Sequence, residues 1–255
     1  MKPMYYLARL LVLMSILLLG GQVVIPLGSQ GGKTQAFSEA ELFLELNDTD
    51  GDLGIHASID GGTWTRLTVT GPNGRALLNI ASQENLQTQG LTQLAFESAE
   101  PSFEDLPPAD FFARFPQGVY VIQALAQGGG TFGSTATLSH VLAAPAENIL
   151  LSGVPAAESC DAKPVPRVTS PVLIDWDPVT TSHPEIGASG PITISRYQVF
   201  VEGASAKFSV DLSPTVTEVE VPSGVTAQGN LFKFEIIART ADGNNTAVES
   251  CFRVQ

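Results

Sequence analysis

Asp48, Asp50 and Asp52 alternate in the stretch NDTDGDLGIH, with Gly51 and Gly54 close by. Carboxylates in that alternation are calcium ligands. An EF-type loop takes oxygens at positions 1, 3 and 5, glycine at 6 and a bidentate acid at 12. Counted from Asp48, the first three positions fit, but position 6 is Leu53 and position 12 is Ile59, with Asp60 one residue late. The turn and the closing ligand are therefore missing, and no helix pattern flanks the loop. Asp48, Asp50 and Asp52 form a calcium candidate only in their first half. The competing reading is a solvated acidic turn leading into a strand at residues 55–59.

Other residue types that carry chemistry are present without the spacing that chemistry needs. Glu97, Glu100, Glu104, Asp105 and Asp110 form an acidic run with no base before Arg114. Paired carboxylates can hydrolyse glycosides, but acids ahead of a helix also favour its positive N-terminal end, and that reading is preferred here. His56, His140 and His183 are far apart and make no metal-spaced pair, so no zinc site is expected. There is no G-x-S-x-G and no phosphate-binding glycine loop; Gly128, Gly129 and Gly130 read as a hairpin turn. Sequons begin at Asn47 and Asn244 and matter only in a glycosylating host. No catalytic or cofactor-binding residue is assigned, and the chain reads as a non-enzyme.

Composition narrows the class of job. The formal net charge is −13 and the chain has 13 Lys+Arg against 26 Asp+Glu, which argues against nucleic acid and against docking on anionic lipid. The first residues, MKPMYYLARLLVLMSILLLGG, place Lys2 and Arg9 ahead of an apolar run from Leu10 to Leu19. Residues 1–27 therefore read as a secretory signal peptide, or as an N-terminal membrane anchor if the resumed apolar stretch from Val23 is retained. No cysteine follows for lipid attachment. Residues 28–40 read as a flexible segment or cleavage zone. In an exported chain the two cysteines, Cys160 and Cys251, suggest a disulfide closing a loop of about 90 residues, worth about 4 kcal/mol. Two separate buried thiols are the alternative.

These residues must be positioned by strands. From residue 42 onward apolar and polar residues alternate with period two. Ile55, Ala57 and Ile59 share one face, His56 and Ser58 the other. Asp60, Gly61 and Gly62 read as a hairpin turn before a strand from Trp64 to Val69. One short helix is expected at about 108–115, with Ser102 or Asp105 as its cap and Phe111 and Phe115 on one face. The composition shift around Pro145 and Pro155 suggests an interdomain linker at 144–157. The expected organisation is two β-sandwich domains in tandem, at 41–143 and 158–255.

The second of these carries a specific resemblance. PVLIDWDP, RYQVFVE, TEVEVP and LFKFEIIARTADGNNT resemble the second, third, fifth and sixth strands of a fibronectin type III (immunoglobulin-like) domain, with Trp176 as the core tryptophan. The family usually has a tyrosine where this chain has Phe232, and a Cys160–Cys251 bridge, tying the first strand to the last, is atypical of it. Over nearly the whole length past residue 40, TDGDLGIH, GLTQLAFESAEPSFEDLP and FFARFPQGVY resemble uncharacterised exported bacterial proteins with a C-terminal domain of that type. The resemblance implies architecture and compartment and no activity.

The expected function is a non-catalytic exported interaction or structural module, periplasmic, at the cell surface or extracellular. Its partner would be a protein or a cell-surface glycan, and it would touch membrane only through an uncleaved N-terminal segment. Loops at 180–191 and 240–245 are the expected contact sites. The alternative is a glycan-binding accessory module with Trp64 exposed as a stacking platform, and, behind that, a hydrolase with an unrecognised site.

Overall fold

Period-two alternation builds strands throughout residues 34–255, which are the residues the computed structural model describes. The signal-peptide or anchor reading of residues 1–27 lies outside them. The first half runs β1 (Thr34–Gln35), β2 (Glu39–Asn47), β3 (Asp52–Thr70), β4 (Ala76–Ala81), α1 (Glu84–Gln89), β5 (Leu91–Glu97), α2 (Pro108–Arg114), β6 (Gly118–Ala126) and β7 (Thr131–Leu138). In β2, Leu42, Leu44 and Leu46 point into the core, while Glu41, Phe43 and Glu45 take the outer face.

The organising element is β3. The expected hairpin at Asp60–Gly62 does not form, because the strand continues through it from Asp52 to Thr70. One edge of β3 pairs with β2 and then with β6; the other pairs with β5 and then with β4. The register breaks between Asp60 and Trp64, so one strand bends and its two halves pair with different neighbours. Glycine is needed at the bend for a reason other than turn geometry. A Cβ on Gly62 would stand 2.7 Å from the Phe132 ring, which packs with Phe37 at 5.3 Å between centroids.

The second half runs β8 (Leu150–Leu151), β9 (Val154–Pro155), β10 (Arg167–Val168), β11 (Val172–Asp175), β12 (Ile194–Gly203), β13 (Lys207–Leu212), β14 (Glu218–Val221), α3 (Ser223–Thr226), β15 (Leu231–Thr240) and β16 (Asn245–Val254). One sheet has the order β14-β11-β8-β9, and the facing one β13-β12-β15-β16. This is an all-β, fibronectin type III-like sandwich, and PVLIDWDP, RYQVFVE, TEVEVP and LFKFEIIAR fall in β11, β12, β14 and β15. Trp176 meets Tyr197 edge-on at 5.3 Å, and the Tyr197 hydroxyl accepts a hydrogen bond from the Val179 amide at 2.8 Å. Phe232, which lacks a corner hydroxyl, is fully buried and stacks on Phe252 at 5.5 Å.

Several expectations need correction. Thr34–Gln35 and the start of β2 lie inside the segment read as a flexible tether, and Phe37 is buried there. The stretch read as a linker at 144–157 contains β8 and β9, and Ala143, Ala146 and Leu151 belong to the second core. Among the described residues two apolar cores form, and they divide between Leu142 and Ala143. The first half has two short helices, not one. The second of these, α2, starts at Pro108 with no side-chain cap, so neither Ser102 nor Asp105 serves. Phe111 and Phe115 do meet, at 4.9 Å. Trp64 is fully buried, which removes it as a glycan platform.

Cys160 and Cys251 are bonded, 91 residues apart. The bridge does not start from the first strand: Cys160 sits between β9 and β10, and Cys251 in β16. It fastens the chain just ahead of β10, which pairs with the end of β16. Replacing both cysteines by serine should lower stability by about 4 kcal/mol, read as a lower midpoint in urea unfolding. An unchanged midpoint would show that β10 and its packing close the loop unaided.

Candidate functional site

The two sandwiches share a sheet. On its free edge β16 takes β2 in parallel at Asn245–Ala247 and β10 in parallel at its far end, so the order β1-β7-β6-β3-β2-β16-β15-β12-β13 is continuous. The ladder extends past β2, where the Asp48 amide donates to the Ala247 carbonyl at 2.9 Å and Thr49 Oγ1 accepts from the Glu249 amide at 2.9 Å.

The loops expected to reach outward are used at this seam. Asn244, in the 240–245 turn, is 1% exposed. Its Oδ1 accepts from the Leu44 amide at 2.9 Å, and its Nδ2 donates to the carbonyls of Ser139 and Val141 at 2.9 and 3.0 Å. The 180–191 loop is bonded back onto residues 140–144 through the amides of His183, Ala188 and Ala144. His183 is buried, its Nε2 lies 2.8 Å from Asp48 Oδ1, and its Nδ1 accepts from the amides of Glu185 and Ile186. Both loops are thus internal fasteners, and the sequon asparagine Asn244 is enclosed.

This also places the calcium candidate. Asp48 is taken by His183, Asp50 lies 3.5 Å from Asn47 Nδ2, and Asp52 turns toward the sheet with its Oδ1 buried and without a hydrogen-bond partner. The three do not converge. Among the described residues the one convergent set of metal-type ligands is His56, Glu97 and Glu100, whose ligand atoms lie within 4.8 Å of one another. No sequence spacing marks it: Glu100 is 44 residues from His56, and β3–β5 pairing brings Glu97 directly opposite His56.

The outer face around this set is crowded with acids. Pairing puts Glu235 on β15 opposite Glu249 on β16, and both Glu45 on β2 and Glu100 act on Glu235. Burial pushes the Glu235 carboxyl up to about 7, helped by Glu45, Glu249 and Glu100 and opposed by Lys233. Burial, with Glu100, Asp50, Glu249 and Glu45, pushes Asp52 up to about 6. Burial also raises Glu100, against its hydrogen bond from His56. Cations fasten the margin: Arg239 donates to Glu41 at 2.7 Å and lies 4.6 Å over the Phe43 ring, and Lys233 pairs with Glu249.

No family model and no curated protein matches this chain. Solved structures that align with it include a bacterial ice-binding adhesin at 11% identity, covering 88% of this chain and 65% of that one, with a TM-score of 0.26. A two-domain fibronectin type III segment of chicken tenascin aligns at 13% identity over 86% of this chain and 99% of that one, with a TM-score of 0.28. A tetra-tandem repeat from the extending region of a large adhesion protein aligns at 9% identity over 85% and 49%, with a TM-score of 0.28. The chain therefore spans less than two thirds of the adhesin chain. Likenesses this low bear on neither fold nor function, and the fold assignment rests on strand order.

Two outcomes follow from the seam. Asn244→Ala strands the Leu44 amide and two carbonyls in the interior and should cost about 3 kcal/mol, read by urea unfolding. The pH dependence has a definite sign. The folded pKa of Glu235, about 7, exceeds its ordinary value of 4.5, so the folded chain holds the extra proton. That stabilisation is complete below about 4.5 and is lost as pH rises through about 7; Asp52 acts in the same direction between 3.8 and about 6. Thermal unfolding should occur at higher temperature at pH 5 than at pH 8, and Glu235→Gln should flatten the difference.

Proposed function

We propose that this chain is a non-catalytic exported module that binds or spaces other molecules in the cell envelope or the extracellular space. The observation that supports this most is the continuous sheet. A backbone ladder and buried side-chain bonds join two sandwiches whose connecting loops are tied down, which makes a rigid platform. A parallel ladder with evenly spaced bonds is a stiff joint in comparison with a flexible linker. The disulfide suits an oxidising compartment, and the apolar first residues suit export.

The partner class is a protein or a cell-surface glycan, met on the sheet face and not through the 180–191 or 240–245 loops. The net charge of −13 favours partners with basic surface and disfavours nucleic acid. Membrane contact is confined to the N-terminal segment if it is retained. The glycan reading has lost Trp64 as its platform, because that side chain is fully buried.

The test uses the protein as secreted, with its N-terminus sequenced to establish cleavage. As bait against the native envelope it should retain a specific component, and it should leave model ester, peptide and glycoside substrates untouched. Turnover of any of these, with no retained component, would overturn the proposal.

A further inference from the structure

We propose that His56, Glu97 and Glu100 form a binding site for a divalent first-row metal ion of the zinc type. The ligands come from the outer face of the first sandwich. His56 lies on β3, Glu97 faces it from β5, and Glu100 folds back from just beyond β5. Their ligand atoms are within 4.8 Å of one another, and His56 Nε2 is 2.9 Å from Glu100 Oε1. Ligands held about 2.1 Å from a zinc ion stand about 3.4 Å apart. The observed set brackets that spacing, and rotation of the exposed Glu97 side chain closes it.

Four features prepare the site. The His56 ring is stacked on Phe43 at 5.3 Å and 24°, which fixes the direction of Nε2. Its side chain is 13% exposed, so little of the ring is in contact with water. Gly54 leaves room for the third ligand: a Cβ there would stand 2.0 Å from Glu100 Oε1, so the carboxylate lies over bare backbone. A shallow cleft of about 440 Å³, walled in part by Phe43, Ser58 and Ala95, opens beside His56 and Glu97. It leaves the remaining coordination positions to water.

The donor set selects the class of ion. One imidazole nitrogen with two carboxylates suits zinc and its neighbours, whereas calcium and magnesium prefer oxygen alone. The neighbouring acids Asp52 and Glu45 add a negative field that favours a cation here. This reading leaves Asp48, Asp50 and Asp52 outside the ligand set.

The test is titration of the chelator-treated protein with zinc chloride by calorimetry, with cobalt(II) as a spectroscopic substitute and calcium chloride as a competitor. One equivalent of zinc should bind saturably, cobalt should develop a visible absorption band, and millimolar calcium should displace neither. Glu97→Gln, on an exposed side chain, should weaken zinc binding about tenfold or more, since even groups behind the ligands are worth that much. Gly54→Ala should do the same without removing a ligand, because it displaces the Glu100 carboxylate, with circular dichroism confirming the fold. Absence of saturable binding, or binding unchanged in both variants, or displacement by calcium, would overturn the site.

Discussion

The short parallel ladder between β2 and β16 is the interaction on which the rest of the molecule depends. It spans few residues, yet it turns two sandwiches with separate cores into one sheet. Backbone pairing alone would not hold such a joint against the freedom of two linked domains. Asn244 supplies the rest, spending all three of its hydrogen bonds on backbone groups of the first half, where no water competes. Thr49 adds a hydroxyl that accepts from the Glu249 amide at 2.9 Å across the joint. Polar groups buried and fully paired in this way specify one relative placement and penalise others.

The seam also explains the unusual electrostatics. Bringing β2 and β3 beside β16 and β15 puts acids from both halves on one surface. Glu45 and Asp52 come from the first sandwich, Glu235 and Glu249 from the second. Burial, helped by these acidic neighbours, pushes the Asp52 and Glu235 carboxyls up. Cohesion at the seam is therefore set against charge repulsion across it, with Arg239 and Lys233 offsetting part of the repulsion.

The second sandwich was legible from sequence because its strands alternate cleanly and end at turn residues. PVLIDWDP and LFKFEIIAR announce both their period and their inward face. The first sandwich was legible in its strands and in the Phe111–Phe115 helix, but not in its path. Gly61 and Gly62 are equally compatible with a hairpin and with a bent strand crowded by Phe37 and Phe132, and only tertiary packing decides between them. Short pieces such as β8 and β9 carry too few residues for any period to show. The site was the least legible part. Asp48, Asp50 and Asp52 make a pattern in sequence and scatter in space, while His56, Glu97 and Glu100 make none in sequence and converge, because strand pairing sets that convergence.

The direction of the β2–β16 pair has a mechanical consequence. The strands run parallel, so tension entering at the start of β2 and leaving at the end of β16 pulls them along their own axes in opposite senses. Every hydrogen bond of the joint is then loaded at once in shear, instead of one after another as in peeling a hairpin. Resistance to such a load is a matter of unfolding rate more than of equilibrium stability. A chain held at one end and tugged at the other would load this joint in shear, where a flexible tether would simply have extended.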